Sequence, residues 1–282
     1  MKFYIRIIAL LITAICLPAC QETPVKQDRV VESSVKSADG VPIHFTARGN
    51  GDTALVFVHC WSCDSSYWQA QMNDFAADYR VVAIDLAGHG QSGTGRKNYT
   101  ISSFADDVER VVESLDLKKV ILVGHSMGGS VIIETALRMP ERAIKLVAVD
   151  SFETQFQWPP EDKIAEMLAP FKSDFYKTTS QMVKSMFSPN ADPAIVQHIA
   201  NDMASAPSEI GISALSNTLK WVAGDYQNKR SQLKAPLIHI NAAQTNRPSA
   251  TEKIIVVPYV GHFIPQEAPE RFDAALKQAL AE

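Results

Sequence analysis

Along the chain, short, near-continuous runs of Val, Ile and Leu alternate with stretches in which apolar residues recur every three or four positions. The runs Ala54–Val58, Val81–Ile84, Val120–Val123, Ile144–Val149, Leu237–Ile240 and Ile254–Val257 are short, and they lack the polar alternation of a strand with one wet face. They predict strands covered on both faces, as in a parallel sheet. Upstream, Val30–Val35 and Val41–Ala47 flank Asp39-Gly40 and predict an antiparallel hairpin. Between the runs, Ile101, Phe104, Ala105, Val108, Val111, Val112 and Leu115 keep to one helical face. Further helical patterns cover Ser130 to Met139 and about Pro269 to Ala281, and Ser66 with Gln69 has the spacing of a capping box. Eight strands so spaced predict an α/β fold with a doubly wound, mostly parallel sheet.

Between Ser151 and Leu233 the alternation stops, and helical patterns rich in Met and aromatics replace it. So long an insertion usually has a function, and it follows the sixth strand on the carboxyl side of the sheet, where ligands bind. Residues 151–231 are therefore expected to form a helical cap on a core made of 29–150 and 232–282. The aromatics Phe152, Phe156, Trp158, Phe171, Phe175 and Trp221, with Met167, Met182, Met186 and Met203, are candidates for its underside. The plainer expectation is that most of them form the cap's own core.

The first residues read as a targeting segment. Lys2 and Arg6 precede an apolar stretch from Ile7 to Ala19, shorter than the roughly 20 residues a spanning helix needs. This is the layout of a secretory signal over 1–19. Leu17-Pro18-Ala19-Cys20 resembles the bacterial lipobox, which implies cleavage before Cys20 and acylation of its thiol. An ordinary cleaved signal is the alternative, although Leu17 is bulky for that pattern. The polar residues 20–28, with Pro24 among them, suit a tether. By resemblance to Gram-negative lipoproteins, Gln21 after Cys20 points to the outer membrane, and without the lipid the protein would be periplasmic. A net charge of −4 and the lack of a Lys/Arg cluster argue against nucleic acid as a partner.

The chemistry-bearing residues lie at the ends of the predicted strands. Gly124-His125-Ser126-Met127-Gly128 stands between a buried run and a helical pattern, the strand–turn–helix setting of a nucleophile elbow. A glycine-rich helix start capped by a serine is the plainer reading. Val58-His59-Cys60-Trp61 follows the third strand, Asp85-Leu86-Ala87-Gly88-His89-Gly90-Gln91-Ser92 the fourth, and Gly261-His262-Phe263 the last. With these four motifs in this order, the chain resembles the α/β-hydrolase superfamily, specifically capped, single-domain members with a serine nucleophile. The resemblance covers essentially everything from about Val30 onward.

It implies Ser126 as nucleophile, His262 as base and then acid, and the backbone N–H groups of Trp61 and Met127 as the oxyanion hole. Serine at the elbow disfavours the aspartate-nucleophile relatives, dehalogenases and epoxide hydrolases. The family's usual acid position reads Asn241-Ala242-Ala243-Gln244-Thr245-Asn246 and holds no carboxylate. Asp150, at the end of the sixth strand, is the expected acid, with a helix-capping role as the alternative and Glu153 as a second candidate. Asp85 is expected to organise its own loop, as are His59 and His89, and His125 is expected to pack.

Cys60 stands where the family has glycine, and Cys60-Trp61-Ser62-Cys63 is a C-x-x-C. The pair is open between free thiols, a structural disulfide and a redox role. Zinc would need ligands that no motif supplies.

The expected function is an exported, lipid-anchored serine hydrolase acting on a small, partly hydrophobic carboxylic ester, with no cofactor. Lactones, thioesters and acyl transfer are open to the same residues. A non-catalytic, ligand-binding lipoprotein is the alternative from another class.

Overall fold

The computed structural model describes residues 30–152, 159–242 and 253–282. Among these, the strands are β1 (Val31–Lys36), β2 (Pro42–Arg48), β3 (Ala54–Val58), β4 (Arg80–Ile84), β5 (Val120–His125), β6 (Ala143–Val149), β7 (Leu237–Asn241) and β8 (Lys253–Val256). They form one sheet in the order β1-β2-β4-β3-β5-β6-β7-β8. β1 pairs antiparallel with β2, and β2 antiparallel with β4; every other neighbouring pair is parallel. Before the insertion come α1 (Gln69–Asp74), α2 (Ile101–Ser114) and α3 (Met127–Arg138).

Alternate side chains of β3 explain why the apolar runs have no polar partner face. Val56 and Val58 enter a cluster with Phe104 and Val108 of α2 and Val131 of α3. Leu55 and Phe57 enter a second cluster on the opposite face, with Phe75, Phe272 and Leu276. Each such side chain, fully buried, contributes on the order of 1.5–3 kcal/mol.

Between β6 and β7 lie α4 (Ile164–Met167), α5 (Ala169–Ser173), α6 (Phe175–Ser185), α7 (Pro193–Ala204), α8 (Ser208–Gly224) and α9 (Tyr226–Ser231). These helices have no separate core. Phe171, Phe175, Ile199 and Leu219 belong to the same contiguous cluster as Val131 and Phe104. The insertion is therefore a cap whose helices pack on one another, α6 on α7 above all, and which sits through α8 and α9 on α2 and α3. Phe152 and Trp221 are buried, whereas Phe156 and Trp158 lie outside the described residues. The chain closes with α10 (Ile264–Glu267) and α11 (Pro269–Ala281).

One helix start differs from expectation. Ser66 and Gln69 form no capping box: Asp64 accepts the Ser66 N–H at 2.8 Å and caps a short 3₁₀ turn ahead of α1. An aspartate oxygen two residues upstream is better placed for that orphan donor. The capping box sits instead on α2, where Thr100 and Ser103 exchange side-chain-to-backbone bonds of 3.0 Å.

A buried ion pair ties the first hairpin to α2. Arg96 donates to Asp107 at 2.6 and 3.0 Å and to Asp39 at 2.6 Å. Asp107 also accepts the Ser37 hydroxyl and the Ala87 backbone N–H. Burial works against the Arg96 charge, but the two carboxylates outweigh it and hold the guanidinium protonated.

Candidate active site

At the end of β5 the chain must reverse within one residue to enter α3, and Ser126 takes φ 54° and ψ −114°. A Cβ on Gly124 would lie 2.3 Å from the Gly128 carbonyl oxygen, and one on Gly128 would lie 2.5 Å from that of Val58. Only glycine permits both approaches. A left-handed serine costs on the order of 1 kcal/mol and persists only where its surroundings dictate it. Here the Ser126 N–H donates to Val149 O at 3.0 Å, and the Ser151 hydroxyl donates to Ser126 O at 3.0 Å. The Ser126 side chain makes no capping bond although it occupies the N-cap of α3, so the capping-serine reading fails. The helix also starts at Met127, earlier than its apolar pattern begins.

The close approach of Gly128 to Val58 and His59 seats the first turn of α3 against the loop that carries Trp61. Among the described residues, neither the Trp61 nor the Met127 N–H is engaged in a hydrogen bond. Two unspent donors beside a helix N-terminus favour negative charge. The loop is held from two sides. Cys60 and Cys63 are joined by a disulfide and are both buried. From above, the Trp61 indole donates to the Gly211 carbonyl of α8 at 2.7 Å, and its ring packs edge-on against Phe171 and Phe175 at 5.9 and 5.8 Å.

Asp150 directly follows β6 and also has positive φ, 43°. Its N–H donates to Ile240 O at 2.8 Å, which fastens it to the end of β7. One carboxylate oxygen accepts the Ala242 N–H at 2.9 Å; the other lies 2.7 Å from His262 Nδ1. The aspartate side chain is 2% exposed and the histidine 20%. Opposite an ionised carboxylate, Nδ1 carries the proton, which leaves the Nε2 lone pair as acceptor. Asp150 therefore reaches the histidine from the neighbouring strand. Glu153 and Cys20 lie outside the described residues.

Four other histidines have structural partners. His125 Nε2 donates to the His262 carbonyl at 2.9 Å, and its ring stands 4.8 Å from that of His262. Burial, then the neighbouring His262, push its pKa down to about 3, so it stays a neutral donor. His59 accepts the Leu86 N–H on Nε2 at 3.0 Å and donates from Nδ1 to Cys60 O. His89 lies 3.0 Å from the Ala87 carbonyl, and burial pushes its pKa down to about 3. Burial alone would raise the Asp85 pKa, but the N–H groups of Gln91 and Ser65 overrule it and hold the carboxyl below its ordinary value. His44 Nδ1 meets the same carboxylate at 3.1 Å.

This arrangement has relatives. An esterase structure from Thermogutta terrifontis superimposes with a TM-score of 0.75, covering 89% of this chain and 98% of that one at 22% identity. At that identity the likeness is one of fold. The family model described as alpha/beta hydrolase fold matches residues 53–181, from the start of β3 into α6. The chain has the α/β-hydrolase fold. It is similar to the AB hydrolase superfamily protein YisY of Bacillus subtilis, 29% identical over 183 residues, 62% of this chain and 68% of that protein. It is also similar to the bifunctional esterase/perhydrolase DCH of Acinetobacter calcoaceticus, 32% identical over 153 residues, 52% and 55% of the two chains. The first curated relatives are matched over 36% to 68% of their own lengths.

Proposed function

We propose that this protein is a serine hydrolase that cleaves a small, partly hydrophobic carboxylic ester through an acyl-enzyme. The observation that carries the reading is the 2.7 Å bond between His262 Nδ1 and Asp150, at the sheet edge that also holds the strained Ser126. Ser126 Oγ attacks the ester carbonyl carbon while His262 Nε2 takes its proton. The tetrahedral oxyanion is met by the Trp61 and Met127 N–H groups. Collapse expels the alcohol, which receives the proton from His262, and water repeats the cycle on the acyl-enzyme. Asp150 holds the imidazole in its tautomer and stabilises the imidazolium. The aromatic cluster of Trp61, Phe171 and Phe175 supports an apolar acyl or alcohol group, and the esterase/perhydrolase relative supports ester as the substrate class.

The test is labelling with a fluorophosphonate beside a short-to-long p-nitrophenyl ester series. Ser126→Ala is expected to abolish labelling, and Ser126→Ala or His262→Ala to remove about 10⁶-fold in turnover. A folded protein with neither labelling nor turnover would instead favour a non-catalytic ligand-binding role. The same proposal places the enzyme outside the cytoplasm on a lipid at Cys20. Mass spectrometry of membrane-derived protein should find an acylated Cys20; an unmodified N-terminus beyond it would make the enzyme periplasmic and soluble.

A further inference from the structure

The loop between β8 and α10 carries His262, and its backbone is bonded across to the cap. The His262 N–H donates to the Met186 carbonyl at 2.8 Å. Glu267, the last residue of α10, accepts the Gly261 N–H on Oε1 at 2.8 Å and the Ser188 N–H on Oε2 at 3.3 Å. Met186, Phe187 and Ser188 directly follow α6, so one carboxylate receives a donor from the core loop and a donor from the cap. The Phe187 ring stacks on Phe263 at 4.7 Å with planes 18° apart. A Cβ at Gly261 would lie 2.3 Å from Met186 O and 2.7 Å from Glu267 Oε1, so only glycine admits the cap this close. The Glu267 N–H in turn donates to Phe263 O at 2.8 Å, which fixes the carboxylate one turn beyond the histidine.

We infer that Glu267 is a positioning residue that clamps the cap segment Met186–Ser188 to the His262 loop, so that the base holds its place only while the cap is seated. The inference rests on the reading of His262 as the base. Hydrogen bonds from two backbone N–H groups to one carboxylate are charge-assisted and directional. A misplacement of the base by about 1 Å can cost on the order of 10²-fold in rate. Beside the direct bond from His262 to Met186, cap seating and proton transfer are then linked through a side chain that touches neither substrate nor the reacting atoms.

The test compares the full chain with Glu267→Ala, Glu267→Gln and Ser126→Ala, using p-nitrophenyl butyrate turnover, fluorophosphonate labelling and amide exchange. Glutamine keeps one acceptor of the same reach and gives up the other. The expected result is a kcat about 100-fold lower in Glu267→Ala and about 10-fold lower in Glu267→Gln, with KM moving less than about threefold. Peptides covering 186–188 and 259–263 should exchange faster together, with α7 and α8 unchanged. The inference is overturned by a kcat within twofold of wild type in either folded variant, or by faster exchange confined to 259–263. If Glu267→Ala does not fold, Glu267→Gln carries the test. Labelling that depends on Ser126 keeps the hydrolase reading whichever way Glu267 behaves. Turnover that survives Ser126→Ala would sink that reading, while the exchange comparison would still decide the clamp.

Discussion

Asp107 and Asp150 are both closed off from solvent, and each divides its oxygens between a backbone N–H and a cationic or titratable partner. Asp107 takes the Ala87 N–H, the Ser37 hydroxyl and both ends of the Arg96 guanidinium. Asp150 takes the Ala242 N–H and faces His262. Burial and saturation with donors do not separate the two. The partner does: Arg96 keeps its charge at every working pH, so Asp107 has only a geometry to maintain. An imidazole gains and loses its charge near neutral pH, so a carboxylate fixed on its Nδ1 has a state to stabilise. The first arrangement spends its electrostatics once, during folding; under the proposed mechanism the second spends them in each turnover.

Exchanging the two roles by mutation tests the contrast. Asp150→Asn should cut ester turnover by about 10⁴-fold while the melting temperature moves by no more than about 2 °C. A folded Asp150→Asn within a few-fold of wild type would remove Asp150 from the chemistry. Asp107→Ala should do the reverse. Removing one partner of a buried pair leaves the Arg96 charge poorly compensated and costs about 3 kcal/mol, a fall in melting temperature of roughly 8 °C for a domain of this size. Activity per folded molecule should stay within about twofold. An unchanged melting temperature would show that Asp39 alone suffices for Arg96.

Asp273 sharpens the comparison from a third side. It is buried on α11, accepts Gln71 Nε2 at 2.8 Å and faces a second carboxyl, Asp74. Burial first, then Asp74, push its pKa up from 3.8 to about 6, with the Gln71 hydrogen bond and, more weakly, Lys277 opposing. The folded carboxyl therefore keeps a proton that the unfolded chain has released, and the stability this contributes is lost as pH rises through about 6. Asp273→Asn should raise stability by about 1 kcal/mol at pH 8 and by about half as much at pH 5, read by denaturant titration at both. An equal gain at the two pH values would mean the effect is packing.

The difference between Asp107 and Asp150 also marks what the sequence discloses. β3 to β7 were legible because strands buried on both faces must be largely apolar, and β1 and β2 because Asp39-Gly40 marks the turn between them; only the strand ends, where backbone pairing outlasts the apolar run, shifted by a residue or two. Asp150 was legible because it ends such a run. Asp107 was not: set on α2 between Phe104 and Val108, it reads as part of a solvated helix face, and its partners Ser37 and Arg96 lie 70 and 11 positions away. The bond from His125 to His262 spans 137 positions and is equally silent in the sequence. The state of Cys60 and Cys63 stayed open because spacing does not set the distance between two sulfurs. The cap's aromatics gave no sign whether they would meet one another or the sheet, since both require the same residue types at the same period.

The corner at which the cap leaves the core bears on how such an enzyme can be rebuilt from parts. Asp150 is at once the residue facing His262 and the last position before the insertion, and Phe152, two residues on, also has positive φ. The Phe152 ring lies flat on Tyr226, the first residue of α9, at 4.1 Å. The ring pair joins the insertion's first and last segments at its base, like a clasp. A cap transplanted from a relative by splicing at 150/151 would bring its own corner and lose that clasp, disturbing the ground under Asp150. Splicing beyond Phe152 and before Tyr226 leaves the clasp with the recipient, so new substrate-facing helices could be introduced between two residues that stay in register.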